Sequence, residues 1–300
     1  MTDAQGARYA EYIGSEERSS ESMARESAMA LAALLGREAT DDELADLPAV
    51  WHWVYFHRAY KPGELGPDGH LRRGEASVVP PVPARRRMYA GGSVKLLAPL
   101  AAGSPAEKVT ICTKVEQKSG RSGDLVFVTL EHRISQHGEL ARVEEQSLVF
   151  FDPPPATYRP FELPALDGEA GSLTFGARET TGAGGFARDG RLWALSPMLF
   201  TYSALTGNPH KIHYDRSYCQ HFEGYPGLVV HGPLLASAAL ESLLGVGLGK
   251  VTAFEFRARS PIFEGQEAEI HARQQGDSVV QIEITCQGDL CMTASATLGG

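Results

Sequence analysis

Two short stretches in the C-terminal half of the chain carry residues suited to proton transfer. In the first, Asn208 precedes His213 by five positions, and in the second His231 and Gly232 lie directly before Pro233. A histidine titrates near pH 6.5 and can accept and release protons at neutral pH. An asparagine amide can orient a water molecule but cannot accept a proton. His213 is therefore the candidate acid–base residue, although a purely structural histidine is the alternative.

The segment that begins at Gly232 is predicted to be a helix. Pro233 suits the first helical position because no backbone donor is needed there, and Gly245 is a typical helix end. The N–H of Gly232 would then lie at a helix N-terminus, where the helix dipole favours negative charge. A glycine also allows a carbonyl group to approach closely. Gly232 is therefore a candidate donor to an oxyanion.

Both stretches resemble the signature of MaoC-like, R-specific enoyl-CoA hydratases. That signature reads Tyr-Ser-x-x-Ser-Gly-Asp-x-Asn-Pro-Ile-His, and a Val-His-Gly turn into a helix follows it. In this chain Asn208 replaces the aspartate, Thr206 replaces the second serine, and the five-residue step to His213 is preserved. The residues that match are Tyr202, Ser203, Gly207, Ile212, His213, His231 and Gly232. The chain is more similar still to the two-domain branch, which includes mesaconyl-CoA and itaconyl-CoA hydratases and 3-hydroxyacyl-thioester dehydratases.

The resemblance implies an α+β double hot-dog fold, in which two repeated units each wrap an antiparallel sheet around a central helix. It also implies a hydro-lyase that reversibly hydrates an α,β-unsaturated acyl-CoA with a short branched or dicarboxylic acyl group. The catalytic residues would be Asn208, His213 and Gly232. The substrate-binding residues on the two stretches would be Tyr202, Ser203 and His231. Because Asn208 cannot act as a base, His213 would carry most of the proton transfer.

Arg86 and Arg87 lie in residues 61–90, a segment rich in proline, glycine and arginine that is predicted to be a long ordered loop. Guanidinium groups bind phosphates and carboxylates through paired hydrogen bonds. One of these arginines could hold the phosphates of coenzyme A, or it could clamp the distal carboxylate of a dicarboxylic acyl group. A solvated loop without a binding role is the third interpretation. Both arginines are predicted substrate-binding residues on the first two interpretations.

Helices and strands in a repeated order must position these residues. Residues 1–60 are predicted to be helical, with a capping box formed by Thr40 and Glu43. Each half then shows a strand, a Pro-aliphatic-x-x-Gly sequence and three more strands, which indicates two copies of one unit. The predicted strands lie within residues 93–151 and 253–297, and the predicted helices of the second half lie at residues 196–205 and 233–244.

This order divides the chain into three parts. Residues 1–155 are predicted to be an N-terminal hot-dog domain, residues 156–190 a linker, and residues 191–300 a C-terminal hot-dog domain with the active site. The N-terminal half contains no counterpart of the stretch from Asn208 to His213. Its domain is therefore predicted to be catalytically silent and to shape the acyl channel.

The composition excludes several other classes of protein. Hydrophobic residues make up 43% and charged residues 22% of the chain, which is typical of globular proteins and not of disordered or membrane proteins. The net charge of −9 disfavours nucleic-acid binding, although a local basic pocket can still bind coenzyme A. No metal-binding spacing occurs, so neither a metal nor a cofactor is predicted beyond the coenzyme A of the substrate. Unpaired cysteines and the absence of a secretory pattern predict a cytoplasmic protein, and a homodimer is considered.

Three other functions fit parts of the sequence. A 3-hydroxyacyl-thioester dehydratase of fatty-acid or polyketide synthesis would use the same residues in the reverse direction. A non-catalytic acyl-CoA-binding protein would explain why Asn208 replaces the aspartate. A hot-dog thioesterase usually needs a carboxylate on the central helix, where only Glu241 is available.

Overall fold

One twelve-stranded antiparallel sheet runs through the protein, which a computed structural model describes at residues 9–72, 77–84, 86–120, 123–152, 171–180 and 186–299. The N-terminal half contributes β1 (Glu16–Ser22), β2 (Arg86–Leu96), β3 (Pro105–Gly120), β4 (Gly123–Gln136) and β5 (Glu139–Phe151). The C-terminal half contributes β6 (Gly171–Phe175), β7 (Glu179–Thr180), β8 (Phe186–Ala194), β9 (Val251–Ala258), β10 (Glu267–Gln275), β11 (Val279–Cys286) and β12 (Asp289–Leu298). The strand order is β1-β3-β4-β5-β2-β9-β12-β11-β10-β8-β6, and β7 pairs with β8.

Strands β2 and β9 join the two halves edge to edge. They pair antiparallel, with Gly91 opposite Arg257 and Val94 opposite Phe254. A Cβ on Gly91 would lie 2.5 Å from the backbone oxygen of Phe256, so this close approach requires glycine. Outward from the junction, the order β2-β5-β4-β3 in one half repeats as β9-β12-β11-β10 in the other. The two-unit repeat predicted from the sequence is therefore present in the strand order.

Helices cover the inner face of the sheet unevenly. They are α1 (Arg25–Leu34), α2 (Asp41–Ala45), α3 (Ser196–Leu205), α4 (Arg216–Tyr218) and α5 (Gly232–Glu241). Short 3₁₀ turns lie at Ala10–Tyr12, Trp51–Val54, Pro62–Glu64 and Lys211–His213, and a π-helical turn lies at Cys219–Glu223. Helix α5 is the central helix of the C-terminal half, since every residue from Leu234 to Glu241 is buried. The predicted capping box at Thr40 and Glu43 begins α2.

The sequence missed strands at both ends of the sheet. Residues 16–22, predicted as helix, form β1, which pairs with β3 at the sheet edge. This strand is polar on both faces, as is common for edge strands that must resist pairing with other chains, so it lacks an alternating pattern. Strand β6 and the start of β8 lie within the predicted linker, and β6 pairs with the end of β8, from Gly171 opposite Ala194 to Phe175 opposite Gly190. Residues 153–170 and 181–185 of that linker lie outside the described residues.

No helix in the described ranges combines the length and apolar character that a membrane span requires.

Candidate active site

A tight loop after α3 carries Asn208 to the cavity. Gly207 turns the chain with φ +56°, and a Cβ there would lie 2.8 Å from the ring of His57. The Tyr60 hydroxyl donates to the Gly207 carbonyl at 2.9 Å, and the Asn208 N–H donates to the Ser203 carbonyl at 2.9 Å. The loop is therefore fixed from both halves of the molecule, because His57 and Tyr60 belong to the N-terminal half.

His213 ends the 3₁₀ turn that follows this loop, and its side chain is buried. Its Nδ1–H donates to the Val229 carbonyl at 2.8 Å, which leaves Nε2 with a free electron pair. Burial lowers the pKa of His213 to about 4, against the opposing effect of the hydrogen bond to Val229. The ring is therefore neutral at pH 7, and Nε2 can accept a proton.

His231 packs directly on His213. Their rings stack with centroids 3.6 Å apart, and His231 Nε2 is 2.8 Å from the Ser203 hydroxyl oxygen. Burial keeps the pKa of His231 well below its ordinary value, so both stacked rings are neutral. Tyr202 also contacts His231, with its ring centroid 4.9 Å from that of His231. Ser203 and His231 thus support the ring of His213, whereas Tyr202 also lines the cavity.

The three predicted catalytic residues line one cavity of about 720 Å³. Asn208 is partly buried, and its side-chain oxygen accepts the His210 N–H at 3.1 Å, which leaves its NH₂ group for a water or ligand. Gly232 is the first residue of α5, and the first N–H groups of a helix have no partner within that helix. The nearest atom to a Cβ on Gly232 would be the Tyr89 carbonyl oxygen at 3.9 Å, so the protein leaves space there.

The two predicted arginines have different surroundings. Arg86 is buried, its Nε donates to Glu223 at 2.6 Å, and its guanidinium also donates to the Glu223 carbonyl and lies over the Tyr225 ring. It therefore anchors the turn before α5 and is committed to protein partners. Arg87 lines the cavity. The exposed residues Arg58 and Arg259 line it too, and Arg58 also lies 3.7 Å from the Glu64 carboxylate.

Residues of the N-terminal half form the opposite wall of the cavity, and the sequence analysis missed them. Glu144 is buried there, and its carboxylate accepts hydrogen bonds from His52 at 2.7 Å, Trp53 at 3.0 Å and Tyr89 at 2.9 Å. Burial raises the pKa of Glu144, but these partners, His52 foremost, lower it to about 2. Lys108, His132 and Gln146 line the same wall. The charged residues on these strands have no distinctive spacing in the sequence.

A group of three side chains beside the catalytic loop has donor atoms suited to a metal ion. Oxygen or nitrogen atoms of Asp68, His70 and His210 lie within 4.8 Å of one another. His70 Nδ1 is 3.0 Å from the Asp68 carboxylate, and the ring centroids of His70 and His210 are 4.2 Å apart. The Lys211 N–H donates to the Asp68 carbonyl at 2.9 Å. These contacts therefore join the loop of residues 66–72 to the turn that contains His213.

Comparison with known proteins defines the class. The family model for hydroxyacyl-thioester dehydratase type 2 matches residues 50–264. Mesaconyl-C(4)-CoA hydratase of Chloroflexus aurantiacus is 38% identical over 298 residues, covering 96% of this chain and 97% of that protein. A MaoC-like dehydratase from Phytophthora capsici has a similar structure, with a TM-score of 0.61, 12% identity and 96% of each chain covered. A Mycobacterium tuberculosis protein with a double hotdog fold superposes with a TM-score of 0.52 and 13% identity over 95% of this chain and 96% of that one.

The fold and the site together define a double hot-dog enzyme of the hydro-lyase class that acts on acyl thioesters. The chain belongs to the hydroxyacyl-thioester dehydratase type 2 family. The fold class, the MaoC-like resemblance and the prediction of an acyl-thioester hydro-lyase are therefore confirmed.

Proposed function

We propose that this protein reversibly hydrates a short, branched or dicarboxylic enoyl-CoA of the mesaconyl-CoA or itaconyl-CoA type. One observation carries the proposal: a neutral, buried His213 with its Nδ1–H fixed lines the same cavity as the N-terminus of α5 at Gly232. The name of the Chloroflexus relative supports the choice of acyl group.

The reaction requires an activated water at C3, a proton for C2, and a partner for the charge on the thioester oxygen. Nε2 of His213 takes a proton from water while the water oxygen bonds to C3. The electrons of the C2=C3 bond move toward C2 and the thioester carbonyl, whose oxygen accepts the Gly232 N–H. The protonated His213 then delivers its proton to C2 and returns to its neutral form. Asn208 orients the water.

The low pKa of His213 keeps the ring neutral at pH 7, which is the form that accepts a proton from water. Its protonated form is more acidic than an ordinary imidazolium and readily gives its proton to C2. Protonated His213 would stack on the neutral ring of His231 without a carboxylate partner on either nitrogen. One histidine thereby performs the work that an aspartate and a histidine share in the signature.

Coenzyme A enters as part of the substrate, and its phosphates meet Arg58, Arg87 and Arg259 at the cavity opening. Arg87 keeps the substrate-binding role predicted for it, whereas Arg86 acts by holding Glu223. We place the reaction in the cytoplasm, with no metal or nicotinamide taking part, and include a homodimer among the assemblies to be tested.

The test is turnover of defined thioesters. Mesaconyl-C4-CoA, itaconyl-CoA and crotonyl-CoA are supplied to the wild type and to His213→Ala, and loss of the conjugated enoyl-thioester absorbance is followed. We expect at least one diacid thioester to be hydrated by the wild type only. If no thioester is consumed while all bind, the protein is an acyl-CoA-binding protein and the proposal is wrong.

Dehydration of a 3-hydroxyacyl thioester is the second candidate, because the matching family model carries that description. It is the reverse of the same reaction, so only the substrate distinguishes the two. A preference for long chains or for acyl carrier protein over coenzyme A would favour this candidate.

A further inference from the structure

A polar patch lies on the inner face of the N-terminal half-sheet, where it lines the cavity opposite α5. We define the patch as Lys108, Thr110, His132, Glu144 and Gln146, of which all but Thr110 line the cavity. These residues come from three neighbouring strands, with Thr110 opposite His132 and His132 opposite Glu144. Residues two apart on one strand share a face, so Lys108 joins Thr110 and Gln146 joins Glu144. No step of the hydration described above uses this patch.

Glu144 favours the charged form of Lys108 through space, but its own hydrogen bonds are made to other residues. Three donors converge on its carboxylate, and the shortest contact is 2.7 Å from His52 Nε2. Both groups of this pair are buried. Glu144 and His52 therefore form a closed pair whose hydrogen-bonding capacity is largely used within the protein.

Lys108 brings a positive charge to the cavity. Its Nζ lies 5.1 Å from the centroid of the Phe56 ring, and within the described ranges it forms no salt bridge. Glu21, a nearby acid, instead accepts the backbone N–H of Phe56. Burial lowers the pKa of Lys108, which shows that the charge is poorly solvated where it stands. A poorly solvated ammonium group is stabilised by an anion that enters the cavity.

His132 orients the side chain of Gln146 so that its NH₂ group can also bind an anion. Burial lowers the pKa of His132, so the ring is neutral. The Thr110 hydroxyl is 2.9 Å from Nδ1 and donates to it, and Nε2–H donates to the Gln146 side-chain oxygen at 3.2 Å. The oxygen of Gln146 is thereby occupied, which leaves its NH₂ group as a donor on the cavity wall.

Tyr89 lies between this patch and Gly232 at the N-terminus of α5. Its backbone oxygen is close to Gly232, and its hydroxyl donates to Glu144 at 2.9 Å. The patch is thus about one tyrosine side chain away from the residue that binds the thioester oxygen. Gly232, Lys108 and Gln146 line the same cavity, so a ligand held at Gly232 shares that cavity with this wall.

We propose that Lys108 and the NH₂ group of Gln146 bind a carboxylate carried on C3 of the acyl group and so select diacid thioesters. This inference rests on the proposed hydratase function and adds a specificity site in the half that lacks the histidine motif. The Glu144–His52 pair and His132 are positioning residues in this arrangement.

The experiment compares two saturated thioesters that cannot be hydrated. Succinyl-CoA carries a carboxylate on C3, and butyryl-CoA carries a methyl group there. Calorimetry of the wild type should show succinyl-CoA binding about 10- to 100-fold more tightly. Lys108→Met should abolish this preference, Lys108→Arg should retain most of it, and Lys114→Met, which alters an exposed lysine on the same strand, should leave it unchanged. If Lys108→Met does not fold, Gln146→Leu takes its place with an expected loss of several-fold.

Each other outcome overturns the inference in a distinct way. Equal weakening of both thioesters by Lys108→Met would mean that Lys108 binds a phosphate of coenzyme A. An unchanged preference would place the carboxylate on another residue, such as Arg87. Failure of the hydratase proposal is seen separately, because it appears as absent turnover in the wild type and does not alter these binding ratios.

Discussion

The inner faces of the two half-sheets differ in chemistry although the halves share one strand order. In the C-terminal half the face is apolar and covered by α5, and its buried residues include Phe254, Ile270, Ile282 and Ala296. In the N-terminal half the face carries the polar patch, and α1 packs against α3 and the turn at Trp51–Val54. The first sheet therefore leaves part of its inner face to the cavity. The half without the histidine motif supplies half of the site.

The polar patch explains why no helix like α5 lies along the described inner face of the N-terminal half-sheet. A helix laid along the N-terminal face would fill the space that the polar patch now faces, as α5 does in the other half. The polar side chains would then be buried without the space for a ligand, at a cost that grows with each unpaired group. The proposed catalytic site at α5 and the proposed recognition site on the N-terminal half-sheet both depend on this difference in cover.

The largest effect is expected from a substitution of His213, in the C-terminal half. His213→Gln removes the base while keeping a polar side chain, so kcat for the enoyl thioester should fall about 10²- to 10⁴-fold. Steady-state kinetics measure the loss, and circular dichroism checks that the fold is intact. A loss below fivefold would show that proton transfer does not depend on His213.

The next largest effect is expected from a substitution of Glu144, in the N-terminal half. Glu144→Ala leaves buried His52 without its partner, so the free energy of unfolding should fall by about 3–5 kcal/mol in urea denaturation. Glu145→Ala is the matched control, since Glu145 is exposed on the opposite face of β5 and should change the value by less than about 0.5 kcal/mol. If both variants lowered the free energy of unfolding by the same amount, a closed Glu144–His52 pair would be contradicted.

A smaller effect tests the support of His213. Ser203→Ala removes the hydroxyl from the buried His231 and should cost about 1–3 kcal/mol of stability. If His231 positions His213, kcat should fall several-fold with little change in KM. Thr201→Ala alters an exposed residue of the same helix and should leave both kinetic constants as they are. A change in KM alone would instead assign Ser203 to substrate binding.

The smallest expected effect is the pH dependence of the wild-type activity, which tests the lowered pKa of His213 without a variant. The active form of His213 is neutral, and its pKa is lowered from 6.5 to about 4, so activity should be constant from about pH 8 to 5.5 and fall as the pH drops through 4. The profile of kcat/KM measures this limb over the pH range in which the protein stays folded. A limb near pH 6.5 would mean that His213 is solvated in the working enzyme.

The sequence allowed prediction of the features that are local in the chain. His213, Asn208 and Gly232 lie within 25 positions, and the helix that begins at Gly232 follows from Pro233 and the apolar run after it. Repeated strand order predicted two units because each strand of a half recurs in the other. Such features need only nearest neighbours along the chain to be recognised.

The missed features depend on contacts between distant strands. Lys108, His132 and Glu144 are ordinary charged or polar residues in their own strands, and only the registers of β3, β4 and β5 bring them together. Arg86 seemed free to bind substrate because its partner Glu223 is 137 positions away. Strand β1 was missed because an edge strand with polar residues on both faces has no hydrophobic period.

Pairing of β2 with β9 has a consequence for how such a protein can change. In an assembly of two identical chains, each substitution is made twice and must suit both copies. Here the edge-to-edge contact is made within one chain, so the pseudo-twofold axis imposes no such constraint. Lys108 in the N-terminal half therefore needs no matching lysine in the C-terminal half. Because both half-sheets belong to one chain, the sequence of each half-sheet can change without the same change in the other.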